Sequence, residues 1–95
     1  MITSKQRAAL RALANKMDTI LQVGKSGIIE TTVVQVDDAL TARELIKLRV
    51  LETCPLSAKE AAQELAEKTK ADIVQVIGMR FVLWRRNLKE PKIEI

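Results

Sequence analysis

The stretch Val23-Gly24-Lys25-Ser26-Gly27-Ile28-Ile29-Glu30-Thr31-Thr32-Val33-Val34-Gln35-Val36 decides how this chain folds. Its first half brackets a lysine and a serine between glycines, after the short apolar piece Ile20, Leu21 and Val23. Glycine tolerates positive φ and, having no Cβ, lets another backbone come close. The second half is ambiguous. Its β-branched residues favour a strand by propensity. Yet Ile29, Val33, Val36 and Leu40 keep helical spacing, with Asp37 and Asp38 off that stripe. We read a short strand through Val23, a loop, and a helix from about Glu30 to Ala42. A G-x-x-G loop that opens a helix offers bare N–H groups and a positive helix end to an anion, and Lys25 adds a mobile charge.

The anion is a phosphate, and two chemistries compete for it. Gly24-Lys25-Ser26 matches the tail of the nucleotide-binding pattern G-x-x-x-x-G-K-[ST]. That pattern needs a glycine where this chain has Thr19, and no apolar strand ending in aspartate suits a magnesium site. The other chemistry is the G-x-x-G clamp of single-stranded RNA-binding domains, which grips backbone phosphates. A plain turn with a solvated lysine fits the same four residues.

Outward from this stretch, Ser4 is positioned to cap a helix running to Met17, with Leu10, Leu13, Ala14 and Met17 on one stripe. Arg7 and Arg11 lie a turn apart beside that stripe, and Lys5 and Lys16 lie on its other side. After the glycine loop and its helix, Glu44 to Leu51 reads as a strand, because Ile46, Leu48 and Val50 alternate with Lys47 and Arg49. Pro55 marks a loop. Ser57-Ala58-Lys59-Glu60 is a capping box opening a helix to about Thr69. Ala71 to Ile77 and Arg80 to Arg86 are two strands joined by a turn at Gly78-Met79. Phe81 and Leu83 share one face of the last strand; Arg80, Val82 and Trp84 share the other. The tail after Asn87, with Pro91, is expected to trail over the surface. The order α-β-α-β-α-β-β predicts a small two-layer α/β domain, a four-stranded mixed sheet with helices on at least one face.

Composition narrows the function. At 95 residues the chain suits one domain, spanning 1–95. A hydrophobic content of 47% with 29% charged residues is that of a globular chain. No apolar run approaches the ~20 residues of a membrane span, and the N-terminus lacks a signal core, so a cytoplasmic protein is expected. There is no histidine, which removes imidazole metal sites and acid–base pairs, and the one cysteine, Cys54, reads as a small, partly buried hydrophobe. No cofactor or metal is expected. Net charge is +4, and it is unevenly spread. Residues 1–26 hold five basic residues against one acidic, and residues 80–95 five against two. Residues 27–79 hold six against nine. Two basic ends that meet in space would make a face for polyanions.

The residues also carry a family likeness. The run Val23 to Ile28, then Val36-Asp37, Ala39-Leu40, Glu44-Leu45-Ile46-Lys47-Leu48-Arg49-Val50, and later Gln75-Val76-Ile77-Gly78 with Phe81-Val82-Leu83-Trp84-Arg85, resembles the YhbY family. These are stand-alone bacterial CRM domains (chloroplast RNA splicing and ribosome maturation). The likeness covers about Thr3 to Arg86. It implies a fold similar to the C-terminal domain of translation initiation factor three, and RNA contacts centred on Gly24, Lys25, Ser26 and Gly27 with neighbouring basic residues. Bacterial members associate with precursors of the large ribosomal subunit. Three positions depart from the family pattern. Ile29 stands where Thr often caps the second helix, Arg43 where His precedes Glu-Leu-Ile-Lys, and Trp84 where Tyr precedes the final arginine.

The expectation is therefore a non-catalytic protein that binds precursor ribosomal RNA and assists large-subunit assembly. Lys25 and the loop would hold phosphates, and Arg7, Arg11 and Lys16 would extend the contact as a ridge. Lys47, Arg80 and Arg85 are further candidates. Trp84 is read as packed rather than as a stacking platform. A protein-interaction adaptor docking on a ribosomal protein or assembly factor is the alternative. A small-molecule substrate and a membrane partner are not expected.

Overall fold

Helix α1, Ser4–Ala14, starts one residue away from the expected cap. Thr3 Oγ1 accepts from the Gln6 N–H at 3.1 Å, and Gln6 Oε1 accepts from the Thr3 N–H at 2.9 Å. Thr3 has Gln6 three residues on and closes this reciprocal box; Ser4 has Arg7 there, which cannot accept. In the computed structural model, which describes residues 2–93, strand β1 is Leu21–Val23, helix α2 Glu30–Arg43 and strand β2 Leu45–Val50. Helix α3, Ala58–Thr69, strand β3, Asp72–Ile77, and strand β4, Arg80–Trp84, complete the order α-β-α-β-α-β-β. The ends of the expected 1–95 domain, residue 1 and residues 94–95, lie outside the described residues.

Helical spacing prevails over β-propensity in α2. Val36 and Leu40 are buried while Asp37 and Asp38 are exposed. A strand would have placed Asp38 on the same face as Val36 and Leu40, putting a carboxylate into the core. Ile29 carries no capping oxygen; instead Thr32 Oγ1 accepts from the Ile29 N–H at 3.3 Å. The cap missing at Ile29 is thus half replaced from within the first turn.

The strands order β1-β2-β4-β3, with β1 parallel to β2 and β4 antiparallel to both its neighbours. The sheet is mixed, and both faces are covered. Ile46, Leu48, Val50, Phe81 and Leu83 pack with Val36 and Leu40 of α2 and the alanines and Leu65 of α3. Leu45, Val82 and Trp84 pack with Leu10 and Ala14 of α1 on the other face. The alternation read in β4 is the one that separates these two cores. Small Ala58, Ala61 and Ala62 let α3 lie close to the sheet, and each fully buried Leu, Ile or Phe adds about 1.5–3 kcal/mol. Leu13, placed on the stripe by spacing, is 43% exposed, because α1 buries a narrower strip than four residues. Cys54 is half-buried against the larger core, as a small hydrophobe.

The C-terminal tail does not trail freely. Glu44 ends α2 at φ 65, a conformation that costs an L-residue about 1–3 kcal/mol, and it is fully buried. Its carboxylate accepts from the backbone N–H of Asn87 at 2.6 Å, of Ile93 at 2.7 Å, and of Lys92. The Glu44 carbonyl also accepts from Arg85 N at 2.9 Å. Asn87 Oδ1 in turn accepts from the N–H groups of Lys89 and Glu90, and Ile93 packs against the α1 core. A residue read as the first of a strand is the latch for the tail.

Candidate nucleic-acid interface

The glycine loop is a closed β-turn. Gly27 N donates to Gly24 O at 2.9 Å, leaving Lys25 and Ser26 exposed at the tip. Gly27 has φ +67 and a Cβ there would lie 3.4 Å from Pro55 Cγ, so this glycine is required by the scaffold. Gly24 has no positive φ, and a Cβ there meets Leu51 Cδ1 at an ordinary 3.6 Å. We therefore expect Gly27→Ala to cost about 1 kcal/mol and Gly24→Ala to leave stability nearly unchanged, as read by urea denaturation. Equal losses at the two positions would contradict this account of the turn.

The turn does not open the helix directly. Ile28 and Ile29 intervene before Glu30, whose carboxylate already faces the positive end of α2. The Ile29 N–H is taken by Thr32. The phosphate-binding potential of the loop thus rests on Lys25 and the exposed tip rather than on a helix terminus.

The basic candidates divide into two groups. Three spend their donors inside the protein. Arg7 Nη1 donates to the carbonyls of Ile73 and, at 3.3 Å, Val74, where the β3–β4 register shifts at Ile73/Gln75. A bulge leaves backbone groups unpaired, and Arg7 supplies donors for them. Lys47 Nζ donates to Ala14 O at 3.2 Å and Met17 O at 3.5 Å, capping the C-terminal end of α1. Arg85 reaches Asp37 Oδ1 at 2.6 Å, Thr69 O at 2.8 Å and Thr41 Oγ1 at 2.9 Å, clasping α2 and α3 to the end of β4.

Arg11, Lys16, Lys25 and Arg80 are exposed, and none of them joins an ion pair among the described residues. The structure does not bring Arg7 beside Lys25. Arg7 binds β3, at one edge of the sheet, while Lys25 follows β1 at the other, about three strand spacings or ~14 Å across. The expected single ridge is therefore not formed as read. Arg11 lies one turn beyond Arg7, and Asn15 a turn further lines a depression with Lys47, Ile77 and Arg80. Arg80, on β4, thus borders the end of α1, while Lys25 follows the edge strand β1.

Trp84 is 3% exposed in the α1 core, with the Arg86 guanidinium 5.6 Å from its ring centre, so no base can stack on it. The sequence reading passed over Arg49. Its side chain lies by alternation on the same face as Lys47, opposite Arg80 in register. The signal was available: a second basic position, alternating with Lys47, near the end of the strand that follows the glycine-loop helix.

A profile of the CRS1/YhbY (CRM) domain matches residues 2–85. The chain belongs to the CRS1/YhbY (CRM) domain family. Relatives of this CRM domain include a Bacillus subtilis protein named "Probable RNA-binding protein YqeI", 37% identical over 95 residues, covering 100% of this chain and 99% of that one. A Haemophilus influenzae protein named "RNA-binding protein" is 30% identical over 94 residues, with 99% of this chain and 94% of that one covered. The solution structure of a Staphylococcus aureus protein, described as a candidate RNA binder, superposes with a TM-score of 0.83. That protein is 44% identical, with 100% of this chain and 99% of that one covered. The CRM match stops at residue 85, so the tail latched by Glu44 lies outside it. No helix of the described residues is long and apolar enough to cross a membrane, and no group of His, Cys, Asp or Glu among them is arranged to hold a metal.

Proposed function

We propose that this CRM domain, as a single non-catalytic domain, binds RNA through exposed cations running from Arg11 and Lys16, over Arg80, to Lys25 at the Gly24–Gly27 turn. The observation that carries the reading is the division of the basic residues. Arg7, Lys47 and Arg85 are committed to backbone carbonyls, while these four are exposed and outside the ion pairs. The names of the relatives supply the class of polyanion. A closed four-residue turn preceded by Thr19 argues against a nucleotide-binding loop. Precursor ribosomal RNA in the cytoplasm, during assembly of the large subunit, is the target that the family likeness favours.

Binding of this kind is dominated by phosphate contacts, so affinity falls steeply with salt. In gel shifts with structured precursor ribosomal RNA, Lys25→Ala is expected to weaken binding and lower the salt slope by about one unit. Unchanged affinity and slope in Lys25→Ala would remove the turn from the interface. One surface favours the adaptor reading: β3 is an edge strand, with Ile77 63% and Met79 44% exposed. Association with pre-ribosomal particles that survives nuclease treatment would support that reading over RNA binding.

A further inference from the structure

Arg49 is a basic side chain of the sheet that the interface above leaves unused. Lys47 Nζ reaches the last carbonyls of α1, so Arg49, two residues further along β2 on the same face, lies past the end of that helix. Its cross-strand partner is Arg80. Like charges directly opposite each other on a sheet are destabilising. Neither arginine joins an ion pair among the described residues, and Arg49 Nε is buried with no hydrogen-bond partner there. Both line an open cavity of about 530 Å³, shared with Leu51, Glu52, Thr53 and Met79. One carboxylate against two guanidinium groups leaves the lining net positive.

The position of this cavity connects the two ends of the proposed interface. Val50 N donates to Met79 O at 2.8 Å, and Leu51 N donates to Val23 O at 2.9 Å, the carbonyl just before Gly24. The groove is therefore walled by the β3–β4 turn on one side and by the end of β2 and the residues after it on the other, where Leu51 pairs with the strand leading into the Lys25 turn. Arg80 also borders the depression at the end of α1. An arginine fork presents Nε and a terminal nitrogen in the geometry of two phosphate oxygens.

The geometry points to a further phosphate subsite: the guanidinium groups of Arg49 and Arg80 clamp a backbone phosphodiester of the same RNA strand that meets Lys25. The inference rests on the RNA-binding reading and adds a residue and a groove to it. The bound phosphate supplies the counter-charge between the two arginines, which face each other with no acidic partner among the described residues.

The test measures fluorescence anisotropy of a short single-stranded oligoribonucleotide with the full chain across salt. Arg49→Met is expected to weaken binding about tenfold and lower the salt slope by about one unit. Its melting temperature stays level or rises by about 3 °C, because a like-charge pair and an orphan donor are removed. Arg49→Lys keeps the slope and recovers only part of the affinity, lacking the planar guanidinium. In the wild type, the Arg49 Nε–H nuclear magnetic resonance signal shifts on adding the oligoribonucleotide. If Lys25→Ala weakens binding while Arg49→Met keeps wild-type affinity and slope, the subsite is overturned and the RNA reading stands. If wild type binds no RNA, both fall. An equal Nε–H shift at equal concentrations of inorganic phosphate makes the groove a small-anion site and overturns the RNA assignment.

Discussion

Replacing Glu44 by alanine is expected to lower stability by about 3 kcal/mol, a large share of the roughly 5–15 kcal/mol available to a domain of this size. The carboxylate accepts from three backbone N–H groups of the tail, Asn87, Lys92 and Ile93, which have no other acceptor among the described hydrogen bonds. Truncation removes the acceptor that these part-buried donors share and releases Ile93 from the α1 core. The melting temperature should fall by about 15 °C. The same site gives a pH signature. Burial pushes the Glu44 carboxyl up, but the three N–H groups together with the Arg86 charge outweigh it and hold it below the ordinary value of 4.5. A group held lower in the folded state contributes stability above its unfolded pKa, and that contribution is lost as pH falls through the folded one. Stability should therefore be level from neutral pH down to about 5 and decline below that. Glu44→Gln, which cannot ionise, should start lower and show a shallower acid decline, so the two curves converge in acid. Parallel curves in urea titrations at several pH values would dissociate the latch from its charge.

What the sequence disclosed and what it hid separate along the range of the interactions. The Ser57 box was legible because all its partners lie within four residues, and the structure forms both halves. The Thr3 cap was missed by one position because Thr3 and Ser4 are both competent, and Gln6 selects between them. Helix α2 was legible once burial was weighed above propensity, since its stripe keeps Asp37 and Asp38 out of the core. The tail latch pairs Glu44 with residues 43 to 49 positions away, and no local spacing encodes such a contact. The ridge expected from Arg7, Arg11 and Lys25 assumed that neighbours in the chain are neighbours in space. Because β4 inserts between β2 and β3, Arg7 is drawn to the edge opposite the glycine turn. Likewise, whether an arginine faces solvent or a carbonyl depends on tertiary placement. The strand pattern of Lys47 and Arg49 looked uniform, yet one caps a helix and the other keeps a buried donor unpaired.

Arg85→Ala is expected to cost about 2.5 kcal/mol while leaving the RNA affinity of the folded protein unchanged. The Asp37 pair alone would not account for that cost. Asp37 is 53% exposed, and exposed pairs contribute about 0–1 kcal/mol. The larger share comes from the other arms of the fork. Nη1 also satisfies Thr69 O at the end of α3, and Nη2 donates to Asp37 O and Thr41 Oγ1 within α2. Removing the guanidinium frees two helix segments from the strand that joins them and leaves the partly buried Thr69 carbonyl without this donor. Lysine cannot substitute, because one ammonium cannot span both edges of the fork, so Arg85→Lys should recover less than half of the loss. Urea denaturation gives the stability, and amide hydrogen exchange should show faster opening of α2. Binding measured well below the melting point of the variant distinguishes scaffold from interface. If RNA affinity and salt slope drop there while stability holds, Arg85 contacts the phosphate backbone and the clasp is incidental. If stability drops and affinity holds, the interface consists of the exposed cations and Arg85 positions the helices behind them.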